Sequence, residues 1–251
     1  MLFRSNVFRN LYLNQWTEQA VRWLPMHHWD NCRDDWDLAE FNGEPVWCGL
    51  DLASTRDINA LSMLFRRDDQ WYLACRYWMP EEVADIRGKQ DRAQAHRWAD
   101  QGFIQKTDGN VTDYGVICAD LCDLVERFDL QVLAYDPWGP ARAMAQQLAA
   151  AGFPAEKLKE FRQTIGTFAA PSKEFERLIA SNKIHHNGDP VLRWMVSNVA
   201  AERDKSDNIR PSKARSADKI DGVVAAIMAL GVAMVAGETG SVYEQRGSLT
   251  L

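Results

Sequence analysis

Three aspartates lie where apolar segments of the sequence meet a break, and they constrain the fold more than any other feature. Asp51 follows one apolar run, Asp136 follows another, and Asp221 precedes a third. These runs are residues 46–50, 132–135 and 223–235. An ionised carboxylate beside a hydrophobic core is costly unless a cation or several hydrogen-bond donors compensate its charge. The pattern therefore favours a fold that gathers the three carboxylates around a shared divalent cation.

Each of these aspartates also has a structural interpretation that involves no metal. Asp51 could cap the turn that follows it, and Asp136 could start a turn before Pro137. Asp221, near the start of its helix, could simply interact with the helix dipole. These interpretations stay open at the level of the sequence, although one shared site explains all three positions together.

Three further aspartates are accessory candidates only. Asp57 is suited to a cap or a turn, and Asp218 is suited to the N-cap of the last helix. Asp204 belongs to the polar stretch that precedes that helix.

The alternation of apolar and polar segments predicts an α/β fold, with a mixed β-sheet flanked by helices on both faces. Three strands joined by short turns, at residues 46–51, 60–65 and 71–79, form an antiparallel meander. After Pro80, short strands alternate with helices, which is typical of parallel strands in such a sheet. The later strands are predicted at residues 102–106, 131–136 and 158–161, and the helices at 114–128, 141–151, 172–181, 190–199 and 222–236.

Composition divides the chain into three parts. Residues 1–44 are rich in Trp, Asn, Arg and Asp without a sustained period, and we expect this extension to drape over another surface. Residues 45–237 carry the strand and helix patterns and form the core domain. Residues 238–251 are rich in Gly, Ser and Thr, and we expect a flexible tail there.

The bulk composition excludes several classes of protein. With 251 residues, of which 46% are hydrophobic, the chain can bury one large core. We expect a soluble intracellular protein, because no apolar run reaches the roughly 18 residues of a membrane span and the N-terminus lacks a signal-peptide pattern. Five cysteines without CxxC spacing indicate neither a disulfide framework nor a zinc ribbon.

The charge is distributed unevenly along the chain. A net charge of −6 argues against a protein that coats nucleic acid by bulk attraction. Residues 203–219, however, carry six Lys or Arg against three Asp. This stretch could be a solvated loop, but beside a metal site it could also hold a phosphate backbone, with Lys213, Arg215 and Lys219 as candidate contacts.

The residue types of the candidate site indicate which chemistry it could perform. Carboxylate oxygens alone select hard cations, so the expected cofactor is Mg²⁺ or Mn²⁺ rather than zinc. Two such ions about 4 Å apart can support displacement at phosphorus, one activating the attacking water and the other stabilising the leaving 3′ oxygen. In this hypothesis Asp51 bridges both ions, Asp136 holds one, and Asp221 reaches in from the last helix.

Motifs for other hydrolytic mechanisms do not occur in the sequence. It has neither a GxSxG nucleophile motif nor a GxxxxGKS/T phosphate loop. We therefore expect no P-loop ATPase activity in this chain.

Short motifs surround the three aspartates, namely Gly49-Leu50-Asp51-Leu52-Ala53-Ser54-Thr55, Ala134-Tyr135-Asp136-Pro137-Trp138-Gly139 and Lys219-Ile220-Asp221-Gly222, with Lys213 before the last. In sequence and in order, these motifs resemble the nuclease domain of a tailed-bacteriophage or prophage terminase large subunit. Residues 8–16 are similar to the stretch that leaves that family's ATPase domain. The similarity therefore runs over nearly the whole chain.

The resemblance implies a ribonuclease-H-like fold and a metal-dependent endonuclease that cuts double-stranded viral DNA concatemers with little sequence preference. It assigns the catalytic acids to Asp51, Asp136 and Asp221. It also implies action in the host cytoplasm, transiently at the portal of the procapsid. The implied partners are the portal protein, the small terminase subunit and the terminase ATPase domain, whose phosphate loop does not occur in this chain.

Three alternatives remain open from the sequence. An actin-like or sugar-kinase ATPase shares the sheet topology, but it needs glycines for close approach of phosphate, and none occurs between Gly49 and Gly88. A recombinase or junction resolvase of the same fold would use the same acids. A non-catalytic module that docks on a portal or on DNA would fold normally and cut nothing.

Overall fold

A computed structural model describes residues 22–53, 57–81 and 89–244 of the chain. Its centre is the antiparallel meander that the sequence predicts, formed by β1 (Pro45–Asp51), β2 (Asn59–Arg67) and β3 (Gln70–Pro80). Strand β5 (Asp129–Tyr135) runs parallel to β1 on the side away from β2. Both β1 and β5 therefore end at the same edge of the sheet, each with an aspartate at or just after its last residue.

Shorter strands complete a seven-stranded sheet. The order is β4 (Gln105–Thr107), β3, β2, β1, β5 and β6 (Leu158–Glu160), and β7 (Ile184–His186) also pairs with β3. A separate hairpin is formed by β8 (Ala201–Arg203) and β9 (Ile209–Pro211). No pattern in the sequence indicated β7 or this hairpin, because their three-residue strands lie in mostly polar stretches without an apolar run.

Helices cover both faces of the sheet, as predicted. They are α1 (Met26–Asn31), α2 (Lys89–Asp100), α3 (Tyr114–Arg127), α4 (Pro140–Ala150), α5 (Ile165–Ala180), α6 (Pro190–Asn198) and α7 (Asp221–Glu244). On one face, α5, α6 and α7 pack in a core with Ala60 and Tyr77 of the sheet. On the other face, α3 and α4 pack against Cys48, Leu50 and Leu133.

Residues 22–44 pack on the rest of the domain through five buried side chains, while most of the segment is exposed or half-buried. Trp23, Leu24 and Trp29 are buried with α5 and α6, and the Trp29 ring stacks on His186 with ring centroids 4.3 Å apart. Phe41 is buried in the core of the opposite face. The aperiodic, tryptophan-rich pattern reflects aromatic rings that fill gaps in this core. Residues 1–21 lie outside the described part of the chain.

Two helices differ from the predicted ranges. Helix α5 begins at Ile165, before the predicted residue 172, because Thr164 and Thr167 cap its first turn and Pro171 is accommodated inside the helix. Helix α7 begins at Asp221 and continues to Glu244, beyond the boundary at residue 237 that the composition indicated. No helix of the described residues combines the length and apolar character needed to cross a membrane.

Helix α7 lies directly against β1 at Gly49. A Cβ atom built on Gly49 would lie 2.0 Å from the backbone oxygen of Ala225 and 2.8 Å from the backbone nitrogen of Ala229. The helix and strand backbones therefore approach more closely than any side chain at this position permits. This contact positions the first residue of α7, Asp221, relative to the end of β1.

Gly49→Ala tests this packing. The added methyl group meets backbone atoms that cannot rotate away, so we expect a loss of about 1–3 kcal/mol or more in the free energy of unfolding. In a domain of this size each kcal/mol corresponds to roughly 2–4 °C in the unfolding temperature, which calorimetry measures. Gly166→Ala is the matched control, because its new methyl group would find only Thr164 Oγ1, at 4.0 Å. The control should gain up to about 1 kcal/mol from helix propensity, and equal effects of the two substitutions would contradict the close contact.

Candidate active site

The ends of β1 and β5 bring the first two predicted site residues to one edge of the sheet. Leu50 pairs with Tyr135 in the parallel register of these strands. Asp51 and Asp136, the next residues, therefore leave neighbouring strands at the same level. Asp51 is 3% exposed, whereas Asp136 is half-buried and its Oδ1 accepts a hydrogen bond from the Trp138 backbone N–H at 3.3 Å.

Helix α7 brings the third predicted residue to the same edge. Asp221 is its first residue and is 2% exposed. The Ser62 hydroxyl on β2 donates a hydrogen bond to the Gly222 backbone oxygen at 3.0 Å, which ties the start of the helix to the sheet. The position of Asp221 is thus set by this bond and by the contact at Gly49.

The ammonium group of Lys213 lies between two of the buried carboxylates. Its Nζ atom is 2.7 Å from Asp51 Oδ2 and 2.6 Å from Asp221 Oδ1. The opposite oxygen of Asp51, Oδ1, accepts a hydrogen bond from Gln163 Nε2 at 3.0 Å. The structure therefore brings two predicted metal ligands together around one positive charge.

The electrostatics of the cluster reflect burial and mutual repulsion. Burial raises the pKa of Asp51 to about 6, while the Lys213 ammonium opposes this rise and the Asp221 carboxylate adds to it. Burial lowers the pKa of Lys213, but its attraction to Asp51 and Asp221 is stronger and raises that pKa above its usual value. Burial also raises the pKa of Asp136, against the hydrogen bond from Trp138 and the attraction of Lys213. Lys213 is thus the charged neighbour that all three aspartates share.

A fourth carboxylate, Asp57, joins this cluster. It is 7% exposed and forms an ion pair with Lys219, and its Oδ1 accepts the Ile58 N–H at 2.8 Å. Burial, and then repulsion from Asp221, raise the pKa of Asp57 to about 6. Asp57 therefore lies within electrostatic reach of the site, although the sequence indicated only a cap or a turn.

Comparison with known proteins identifies the family. The family model described as the endonuclease domain of the terminase large subunit matches residues 5–238. This chain belongs to that family.

Relatives of this terminase endonuclease domain are found in bacteria and phages. Protein YmfN of Escherichia coli is 30% identical over an alignment of 260 positions, and the alignment covers 98% of this chain and 54% of that protein. The terminase large subunit of Enterobacteria phage HK97 is 30% identical over 245 residues, covering 97% of this chain and 46% of that protein. The chain therefore spans about half the length of these relatives.

Solved structures agree with this membership. The crystal structure of the HK97 bacteriophage large terminase matches with a TM-score of 0.76 and 28% identity, over 90% of this chain and 47% of that chain. The large terminase of a thermophilic bacteriophage matches with a TM-score of 0.55 at 12% identity, over 92% of this chain and 50% of that chain, which shows the fold alone. The predicted ribonuclease-H-like fold is confirmed.

The acids of this terminase endonuclease domain have the chemistry of a site for a hard divalent cation. The donors are carboxylate oxygens, which Mg²⁺ and Mn²⁺ prefer. Asp221 Oδ2 is buried and receives no hydrogen bond from the described residues. Within the same residues, no three His, Cys, Asp or Glu side chains form a group that could hold one ion. The lysine-bridged pair of Asp51 and Asp221 is thus assembled, and Asp136 stands beside it without completing a three-carboxylate group.

The basic candidates differ in their surroundings. Lys213 and Lys219 form ion pairs with the acidic cluster, whereas Arg215 is exposed and forms no ion pair with any described residue. Of the accessory candidates, Asp204 accepts hydrogen bonds from Ser206 and Asn208 in the exposed turn between β8 and β9. Asp218 accepts the Lys219 N–H at 2.9 Å and precedes a helix that begins only at Asp221, so it does not occupy the N-cap position expected for it.

Sequence reasoning missed Gln163 and Asn59. Gln163 lies between β6 and α5, and an isolated glutamine in a loop gives no signal of its contact with Asp51. Asn59 is fully buried on β2, and its side chain accepts a hydrogen bond from the Ala53 N–H at 3.0 Å. It donates to the backbone oxygen of Asp57 at 3.2 Å and to Thr112 Oγ1 at 3.0 Å. A polar residue at the start of an apolar strand was the available signal for Asn59.

Asn59→Ala tests whether this network holds the backbone at Ala53 and Asp57. The substitution leaves buried backbone groups of Ala53 and Asp57 without partners, so we expect a loss of about 1–3 kcal/mol in the free energy of unfolding, measured by urea denaturation. Thr112→Val is the control, because it removes one partner of Asn59 and leaves the two backbone bonds. The control should cost less than Asn59→Ala, and the reverse order would show that Asn59 does not hold the backbone at Ala53 and Asp57.

Proposed function

We propose that this domain is a metal-dependent endonuclease that hydrolyses double-stranded DNA with little sequence preference and cuts viral concatemers during genome packaging. One observation carries the proposal: the positively charged ammonium group of Lys213 lies between the buried carboxylates of Asp51 and Asp221. A pocket that holds a positive charge between acids, in a family named for its endonuclease domain, is suited to divalent ions.

The three acids of this chain would hold the metal ions. Asp51 and Asp221 would hold ions at the edge of the sheet, and Asp136 would supply the third carboxylate. Two Mg²⁺ or Mn²⁺ ions, when bound, would activate water and stabilise the charge that develops on the scissile phosphate. Gln163 holds Oδ1 of Asp51, and Oδ2 faces the ammonium group of Lys213.

Contacts with DNA would come from the basic stretch at the rim of the site. Arg215 is exposed in the loop that also carries Lys213 and Lys219. A guanidinium group without an acidic partner is suited to bind a phosphate oxygen, and such contacts position the duplex without reading its sequence. We propose the portal protein, the small terminase subunit and the terminase ATPase domain as further partners, in the host cytoplasm at the procapsid portal.

Plasmid digestion tests the catalytic assignment. With Mn²⁺ or Mg²⁺ the wild-type domain should cut, and with EDTA it should not. Asp51→Asn, Asp136→Asn and Asp221→Asn should each lower the cleavage rate by roughly 100-fold or more, because loss of one ligand removes several kcal/mol of charge stabilisation.

Asp204→Asn is the matched control for the loss of one carboxylate. Asp204 lies in the same basic stretch, and its hydrogen bonds to described residues stay within its own turn, so this variant should cut at the wild-type rate. Circular dichroism would verify folding of each variant. Full activity in a folded Asp136→Asn variant would remove Asp136 from the site, and cleavage in EDTA would overturn metal dependence.

DNA binding tests the role of Arg215. Arg215→Ala should weaken the binding of a duplex in EDTA to a similar extent for unrelated sequences, and it should reduce the slope of log affinity against log salt by about 1. Fluorescence anisotropy at several salt concentrations measures both quantities. Arg177→Ala, which removes an exposed arginine already paired with Glu174 on α5, is the control and should leave the slope unchanged. An unchanged slope in Arg215→Ala would exclude this phosphate contact.

A further inference from the structure

Lys213 reaches the acids from an anchored loop whose outer side is open to solvent. The Ser212 N–H donates to the Ala200 oxygen at 2.8 Å, and the Ser216 hydroxyl donates to the Ser212 oxygen at 2.7 Å. The loop backbone is thus held in place, while the Lys213 side chain remains 46% exposed. Rotation of this side chain would withdraw its ammonium group from the site without disturbing the core.

The charges around the ammonium group are incompletely balanced. Asp51 and Asp221 carry two negative charges when ionised, and Lys213 supplies one positive charge between them. Lys219 is engaged by Asp57, so it does not supply the missing charge. A divalent cation would neutralise both carboxylates. It would also coordinate their oxygen atoms directly, whereas an ammonium group carries one charge and can only donate hydrogen bonds to them.

We propose that Lys213 is an internal counter-cation, which holds Asp51 and Asp221 together in the metal-free domain and is displaced when a divalent ion binds. This inference rests on the proposed metal-dependent function. In this role Lys213 is a positioning residue. It keeps two buried carboxylates from repelling each other before metal arrives, and it competes with the metal for the same oxygens.

The two roles have opposite consequences when the ammonium group is removed. Without Lys213, the metal-free site contains two like charges in a buried pocket, which destabilises the fold. The same change removes a competitor and a repulsive charge, so the divalent ion should bind more tightly. A lysine with only a structural role would produce the first effect without the second.

Lys213→Met tests this pair of consequences in the full chain. In EDTA its unfolding temperature should fall by roughly 5 °C relative to wild type, and saturating Mn²⁺ should restore it. The dissociation constant for Mn²⁺ without DNA, measured by calorimetry, should decrease by at least about 10-fold, the equivalent of about 1.4 kcal/mol. Lys213→Arg, which keeps the charge, should remain near wild type in both measurements. Arg215→Met controls for general loss of positive charge from the same loop and should change neither value.

Nitrogen-15 NMR of the lysine ammonium groups observes the displacement directly. In EDTA the Lys213 signal, assigned by its loss in Lys213→Arg, should be protected from exchange by its two carboxylate partners. Saturating Mg²⁺ should move this signal to the position and exchange rate of exposed lysines. A protected signal that Mg²⁺ leaves unchanged would overturn the inference.

The outcomes separate this inference from the proposed function. If Lys213→Met binds Mn²⁺ no more tightly than wild type while the wild-type domain cuts plasmid, the counter-cation role is wrong and the nuclease assignment stands. If Lys213→Met binds Mn²⁺ more tightly and Mg²⁺ displaces the ammonium, but the wild-type domain never cuts DNA, the counter-cation role stands and the nuclease assignment fails.

Discussion

The candidate site depends on the direct contact between helix α7 and strand β1 at Gly49. Because Gly49 has no side chain, the backbone of Ala225 reaches the strand, and the start of the helix comes to the level where the strand ends. Asp51 and Asp221, far apart in the sequence, consequently face one another. Residues 221–233 of α7 are buried in the core, so the position of its first residue is fixed by packing rather than by a flexible loop.

This arrangement places negative charges where solvent cannot stabilise them. Burial raises the pKa of both Asp51 and Asp57, and each acid has a lysine partner from the loop before α7. The fold thus contains an acidic pocket together with the lysine ammonium groups that compensate part of its negative charge. A domain organised in this way can remain folded without metal and still offer carboxylate oxygens to a divalent ion when one becomes available.

The sequence predicted the central elements because they have clear physical signatures. The meander, β5, α3, α4 and α6 all show long apolar periods, and Asp51 and Asp136 directly follow recognisable strands. Strand β7 and the hairpin lie in mostly polar stretches that show no apolar run, and the first turns of α5 are stabilised by a capping pair that precedes a proline. Asp51 and Asp136 lie at one edge of the sheet because parallel neighbouring strands end together, whereas helix α7 brings Asp221 to that edge.

The contacts of Lys213, Gln163 and Asn59 could not be predicted, because a basic loop or a lone amide gives no indication of which distant residue it meets. The most direct test of the central claim is a crystal structure of the domain after soaking with Mn²⁺, in which anomalous scattering locates the metal ions. We predict metal about 2 Å from oxygens of Asp51 and Asp221, with the Lys213 ammonium group withdrawn from between them. Metal bound elsewhere, or Lys213 still bridging the two carboxylates in the metal-saturated crystal, would contradict it.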